Sequence, residues 1–202
     1  MGNSMNVHSN NALQLSDFQK RKLLHEFHTF YDLNKDGIIE WKDFSMAKDN
    51  ICMLNGWVPG SKKHQETSAL FKDIWTSLCR SADRYQDDQI TADEWISMWQ
   101  QFHKLCCRRE TQELPSWLSN YMQYRFNMYD RTGDGVIDCE EFVYVVTRLG
   151  IPEKDARQAY LIFTETNTKD VDFEYFSKLV GEYYMSNDPA SLGNFITGKL
   201  NI

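Results

Sequence analysis

Oxygen-bearing side chains recur at every second position in Asp32-Leu-Asn-Lys-Asp-Gly-Ile-Ile-Glu-Trp-Lys-Asp43: first Asp32, then Asn34, then Asp36. Gly37 follows, where the chain must turn sharply with positive φ. Ile38 can turn its backbone carbonyl inward, Glu40 stands where a water-relayed ligand is usual, and Asp43 closes the ring. A hard divalent cation takes roughly six to eight oxygens at short range, and one loop of this pattern supplies them. The chemistry is therefore calcium coordination. Asp43 is one methylene shorter than Glu and reaches an ion through one oxygen more easily than two. That favours about six ligands and lets Mg2+ compete at this loop.

The same spacing returns at Asp130-Arg-Thr-Gly-Asp-Gly-Val-Ile-Asp-Cys-Glu-Glu141, with Asp130, Thr132, Asp134, the Val136 carbonyl, Asp138 and Glu141 in ligand positions. Glu141 can bind calcium through both oxygens, which favours calcium over magnesium. This is the EF-hand pattern. A damaged copy runs from Asp83 to Glu94: Asp83, Asp87, the Gln89 carbonyl, Thr91 and Glu94 fit, but Tyr85 replaces a short ligand and Asp88 the turn glycine. Asp tolerates positive φ better than most residues, so the turn can survive. Calcium occupancy and a metal-free loop kept for pairing are both open readings there. A further loop, residues 164–175, starts on Thr164, carries Lys169 where glycine belongs and closes on Tyr175. It reads as metal-free.

Helices must flank each loop. Ser16-Asp-Phe-Gln19 is a capping box, followed by Leu23, Phe27, Phe30 and Tyr31 at helical spacing. A helix over roughly 41–54 leaves the first loop through Phe44, Ala47 and Ile51. His25 and His28 lie on the entering helix with no partner at metal spacing, and read as surface or core-edge residues. Gly56-Trp-Val-Pro-Gly60 marks a turn, and Lys62, Lys63 and His64 read as a solvated bend. A long helix then runs to about Ala82 with Leu70, Ile74, Trp75 and Leu78 on one side. Pro115 and Pro152 mark helix starts, and Gly150 a C-terminal cap. Trp117, Leu118, Tyr121, Phe126 and Tyr129 form the next apolar face, and Ala159, Leu161, Ile162 and Phe163 continue apolar. The expectation is an all-α fold of four helix–loop–helix units paired into two lobes and packed as one globule. Short antiparallel contacts would join Ile39 to Ile90 and Ile137 to Val171. The units divide as a flexible arm over 1–14, a first pair over 15–108, a second over 109–186, and a tail over 187–202 packing on the core.

At 202 residues the chain can bury a proper core. Its net charge of −7 argues against nucleic acid and against a polybasic membrane anchor. Five cysteines, odd in number and without CxxC spacing, read as reduced thiols rather than a zinc site. With no signal peptide and no long apolar run, a cytoplasmic protein is expected. Met1-Gly2-Asn-Ser-Met-Asn6 begins like a myristoylation signal, but Asn6 stands where Ser or Thr is expected. Gly193-Asn-Phe-Ile-Thr-Gly-Lys199 matches a phosphate loop up to Leu200, which replaces the magnesium-holding hydroxyl. No strand precedes it, so an extended tail packing Phe195, Ile196 and Leu200 is the reading preferred here.

Several stretches together resemble calexcitin and the invertebrate sarcoplasmic calcium-binding proteins. They are Leu15-Ser-Asp-Phe-Gln-Lys-Arg-Lys-Leu-Leu24, Phe30-Tyr-Asp32 with its loop to Asp43-Phe44, and Glu94-Trp-Ile-Ser-Met-Trp99. Leu114-Pro-Ser-Trp-Leu-Ser-Asn-Tyr-Met122, Gly150-Ile-Pro152, Glu182-Tyr-Tyr-Met-Ser-Asn-Asp188 and the Gly193 to Gly198 tail complete the set. The resemblance implies a compact four-EF-hand protein with three occupied sites and a dead fourth. It also implies calcium signalling or buffering. Some relatives are described as nucleotide binders and some insect ones as kinases of juvenile hormone diol, which makes a nucleotide-dependent small-molecule kinase the alternative. Tyr85 departs from the group. On balance the sequence predicts a monomeric, non-enzymatic calcium protein holding two to three ions. Its dense aromatics point to limited opening. A protein or membrane target engaged transiently in the calcium state is the other outcome.

Overall fold

Side-chain caps decide where most helices begin. Ser16 accepts from the Gln19 amide while Gln19 returns a bond to the Ser16 amide, and this box starts α1, Asp17–Glu26. A short strand β1, Ile38–Glu40, leads into α2, Trp41–Leu54. Helix α3, Lys62–Ala82, is capped by Ser61. Strand β2, Gln89–Thr91, leads into α4, Ala92–Cys107, where Thr91 and Glu94 form a second reciprocal box. Then come α5, Ser116–Tyr129; α6, Cys139–Arg148, boxed by Asp138 and Glu141; α7, Glu153–Phe163; and α8, Phe173–Met185. The computed structural model describes residues 13–108, 110 and 114–198. The Gly2 motif, most of the arm, Lys199 and Leu200 lie outside them.

The first loop is entered differently from the others. After Glu26 the chain widens into a π-helical turn, Phe27–Tyr31, closed by a 2.9 Å bond from the Asp32 amide to the Phe27 carbonyl. Asp83 and Asp130 end their helices with ordinary bonds to Cys79 and Phe126. The wider turn lets Phe27, Phe30 and Tyr31 all bury while Asp32 stays at the loop mouth.

β1 and β2 pair antiparallel in the register Ile38 to Thr91, Ile39 to Ile90 and Glu40 to Gln89. The expected Ile39–Ile90 contact is therefore present. The second contact is thinner: the Ile137 amide donates to the Val171 carbonyl at 2.9 Å, and no strand forms there.

Side chains from 15–108 and 114–198 fill one core. Tyr31 stacks on Tyr121 at 4.6 Å, and Trp99 on Tyr184 at 4.4 Å. Each such pair contributes about 0.5–1.5 kcal/mol beyond area burial. The Tyr121 hydroxyl donates to the Phe30 carbonyl, and that of Tyr183 to the Lys22 carbonyl. Glu26 and Arg125 form a fully buried ion pair across the same seam. Lys22, also buried, donates to the Tyr183 and Ser186 carbonyls and to Asn194 Oδ1. Among the described residues no carboxylate pairs with it, and burial lowers its pKa to about 8.

Four local expectations change. Lys62, Lys63 and His64 are the first turn of α3, because Ser61 Oγ accepts the His64 amide at 3.2 Å. Leu70 is exposed and Phe71 takes its core position; Leu161 is likewise exposed. Pro115 and Pro152 sit one residue before their helices. The tail is not extended: Leu192–Phe195 is a 3₁₀ turn, with Ile196 buried.

Candidate metal centres

In the first loop Asp32 is the hub. Its Oδ1 accepts the Asp36 amide at 3.1 Å and its Oδ2 the Gly37 amide at 3.0 Å. Gly37 has φ +88°. Asn34 Nδ2 donates to Asp36 Oδ2, and Asp36 Oδ1 accepts the Ile38 amide. Asp43 closes the loop from the far side: Oδ1 accepts Leu33 and Asn34, and Oδ2 accepts Glu40. Both hub carboxylates are buried. Burial, with Asp32 nearby, holds the Asp43 carboxyl above its usual range despite three amide donors.

The third loop repeats this frame, with one more amide on its first acid. Asp130 accepts from Gly133, Asp134 and Gly135; Glu141 Oε1 accepts Arg131 and Thr132, and Oε2 accepts Asp138. Asp134 holds the Val136 amide, and Asp138 caps α6 through the Glu141 amide. Asp43 thus reaches the same three loop amides as the longer Glu141.

The second loop keeps the frame despite its substitutions. Asp83 accepts from Gln86, Asp87 and Asp88, and Asp87 accepts from Gln89. Asp88 takes the glycine's place at φ +59°, so the turn survives as expected. Glu94 accepts from Arg84, Thr91 and the Thr91 hydroxyl. Burial pushes its carboxyl up, but the Thr91 and Arg84 donors outweigh this and leave it below the usual range. Tyr85 is 75% exposed and brings no short oxygen inward.

The fourth loop has no carboxylate hub. The Thr164 carbonyl accepts Thr168 and Lys169, and the Thr164 hydroxyl accepts Asn167. Glu165, Thr166 and Asn167 all lie in the left-handed region. Tyr175 donates its hydroxyl to the Phe163 carbonyl.

Two neighbours of the hubs escaped the sequence reading. His28 is half-exposed as expected, yet its Nδ1 lies 3.6 Å from Asp32 Oδ2. Ligand atoms of Cys79, Asp83 and Asp88 lie within 4.8 Å of one another. In each case the i,i+4 spacing to the loop's first residue was the available signal. In donor chemistry the first loop offers carboxylate, amide and backbone oxygens, and the third carboxylate, hydroxyl and backbone oxygens, the kind of set a hard cation takes.

An EF-hand domain model matches residues 121–150, which take in most of α5, the third loop and α6. Sarcoplasmic calcium-binding proteins I, III and IV of Branchiostoma lanceolatum are 29% identical over 187 residues, 92% of this chain and 98% of theirs. The solved sarcoplasmic calcium-binding protein from amphioxus matches with a TM-score of 0.81 at 27% identity, over 92% of this chain and 99% of that one. The chain is thus similar over most of its length to calcium-binding EF-hand proteins of the sarcoplasmic type. Calexcitin-1 of Caenorhabditis elegans is a more distant relative, 22% identical over 87% of this chain and 83% of its own. Among the described residues no helix is long and apolar enough to cross a membrane.

The phosphate-loop-like tail finds another use. A Cβ on Gly193 would meet the Leu179 carbonyl at 2.4 Å, and one on Gly198 would meet Ile151 at 2.8 Å. These glycines permit close packing against α8 and the segment after α6. Asn194 and Thr197 are buried rather than facing a phosphate. The kinase alternative has no support in this arrangement or in the relatives above.

Proposed function

We propose that this protein binds calcium in the cytoplasm as a monomeric buffer or signal modulator, through its first and third loops. Asp32, Asn34, Asp36, the Ile38 carbonyl, Glu40 and Asp43 would hold one ion. Asp130, Thr132, Asp134, the Val136 carbonyl, Asp138 and Glu141 would hold another. The observation that carries this is the repeated pair of hub carboxylates, Asp32 with Asp43 and Asp130 with Glu141, each held by inward-pointing loop amides. The second loop, with Asp83, Asp87, Gln89, Thr91 and Glu94, takes a third ion more weakly, because Tyr85 removes one ligand. Magnesium competes at the first loop, where Asp43 replaces Glu.

The reading also favours little opening on binding. Aromatic stacking and the Glu26–Arg125 pair cross the seam between the halves and oppose the opening by which sensors expose an apolar groove. A calorimetric calcium titration with and without millimolar magnesium tests both parts, with a hydrophobic dye followed in parallel. Two strong sites and one weaker, with little dye response, are expected. Absence of binding would overturn the calcium reading, and a large dye response the buffer reading.

A further inference from the structure

We propose that the turn between α2 and α3 is a docking tip for an anionic membrane surface. Met53, Leu54 and Val58 are 73%, 49% and 65% exposed. Trp57 stands among them, partly exposed. Three large aliphatic side chains within six residues is a concentrated display of apolar surface, unlike the scattered single exposures normal on a soluble protein.

The display is built by the backbone. The Trp57 amide donates to the Cys52 carbonyl at 2.8 Å and the Gly56 amide to the Met53 carbonyl at 3.1 Å. With Gly56 at φ +66°, this is a Schellman cap on α2. Asn55 Nδ2 adds a bond to the Ile51 carbonyl, and the Ser61 amide one to the Val58 carbonyl. The apolar side chains are thus held outward by a fixed turn.

Charge then selects the partner. Lys62 and Lys63, with side chains 89% and 67% exposed, occupy the first turn of α3. Cations are disfavoured at that end of a helix, where the dipole is positive. Both lysines share one carboxylate, Glu66, at 3.7 and 3.6 Å. Two positive side chains on a positive helix end, in a chain of net charge −7, make a local anion-seeking spot on an otherwise acidic molecule. The tip is convex, and it combines aliphatics, a tryptophan and flanking lysines. That combination sits at a bilayer interface: apolar atoms below the headgroups, the indole at their level, ammonium groups on the phosphates.

Flotation of the full chain with calcium present tests this, comparing phosphatidylserine-containing vesicles with pure phosphatidylcholine ones. The wild type is expected to float with the anionic vesicles, and to release as salt is raised. K62E/K63E should weaken partitioning by about fivefold or more per lysine. M53S/L54S/V58S should weaken it at least about tenfold. Leu105→Ser, an exposed apolar site elsewhere, should change nothing. Far-UV circular dichroism and an unchanged calcium titration establish that each variant is folded. Equal flotation with neutral vesicles, or tip variants that float like the wild type, would overturn the proposal. So would a wild type that does not float, which would leave the tip to a protein partner.

Discussion

Loops one to three and loop four do the same geometric job with opposite chemistry. In the first three, loop amides point inward at a carboxylate: Asp32, Asp83 or Asp130 from one side, and Asp43, Glu94 or Glu141 from the other. In the fourth, amides point at the Thr164 carbonyl and hydroxyl, so the loop closes on itself. A carboxylate hub retains lone pairs for a cation after its amides are satisfied. A hub made of one carbonyl and one hydroxyl leaves no charge for an ion to neutralise. Sequence damage at one ligand position, as at Tyr85, leaves the first kind of loop standing. The second kind has Thr164 and Tyr175 in place of the two hub acids.

The largest expected effect concerns the core that both kinds of loop share. Glu26 lies on the helix entering the first loop and Arg125 on the helix entering the third. Arg125→Met would leave Glu26 buried and uncompensated, a loss of about 3–5 kcal/mol of stability. Adding Glu26→Leu should recover much of it, since an apolar pair of similar volume is often neutral or better. Urea denaturation of the single and double variants checks this. A single variant as stable as wild type would mean that the pair does not join the halves energetically.

Next comes the hub itself. Asp130→Asn removes the charge that organises the third loop, and calcium affinity there should fall by at least about a hundredfold. Calorimetry should show one strong site lost and the others retained. Retention of both strong sites would place the third-loop ion on other residues.

The two closing acids of the first pair should separate by sign. Asp43 titrates above its ordinary value, so its contribution to the metal-free fold is present at acid pH and lost as pH rises through its folded pKa. Glu94 titrates below its ordinary value, so its contribution is present near neutrality and lost as pH falls through its folded pKa. In chelator at neutral pH, Glu94→Gln should cost about 1–2 kcal/mol. Asp43→Asn should cost less, because removing the charge relieves burial and the repulsion from Asp32. Carboxyl-carbon titration by NMR gives the two midpoints directly, and a reversed order would contradict this account.

Much of this was legible in the residues, and for local reasons. Loop spacing, capping boxes and the Gly150 cap depend on neighbours a few positions away, which a sequence displays. Asp88 could be read as a turn residue because its side chain tolerates the left-handed region. What could not be read depends on distant partners. Phe71 rather than Leu70 faces the core because its ring meets Tyr124, 4.6 Å away, from the other half of the chain. Lys22 looks like a surface residue until the Tyr183 and Ser186 carbonyls and Asn194 fold over it. The π-turn before Asp32 has no motif, and neither does the run of left-handed residues after Thr164. The Ile137–Val171 contact rests on the Ile137 amide alone, because the Ile137 carbonyl accepts the Tyr160 hydroxyl at 3.0 Å, while the first pair shares a full ladder.

The smallest expected effect on calcium binding is a null one, and it tests whether the hub acids or the backbone decide which kind of loop forms. T164D/K169G/Y175E restores acids at both hub positions and glycine at the turn. Glu165, Thr166 and Asn167 at φ +50°, +63° and +62° would still direct their amides as the present loop does. Tyr175→Glu also removes the hydroxyl bond to the Phe163 carbonyl, and Thr164→Asp places a charge at a fully buried position. The triple variant should therefore gain no calcium site, and should lose about 1–3 kcal/mol of stability from the unsatisfied carbonyl and the buried charge. Calorimetry showing one added site would reverse the interpretation. It would mean that the left-handed run follows from Thr164 and Tyr175, and that the hub acids alone decide which kind of loop forms.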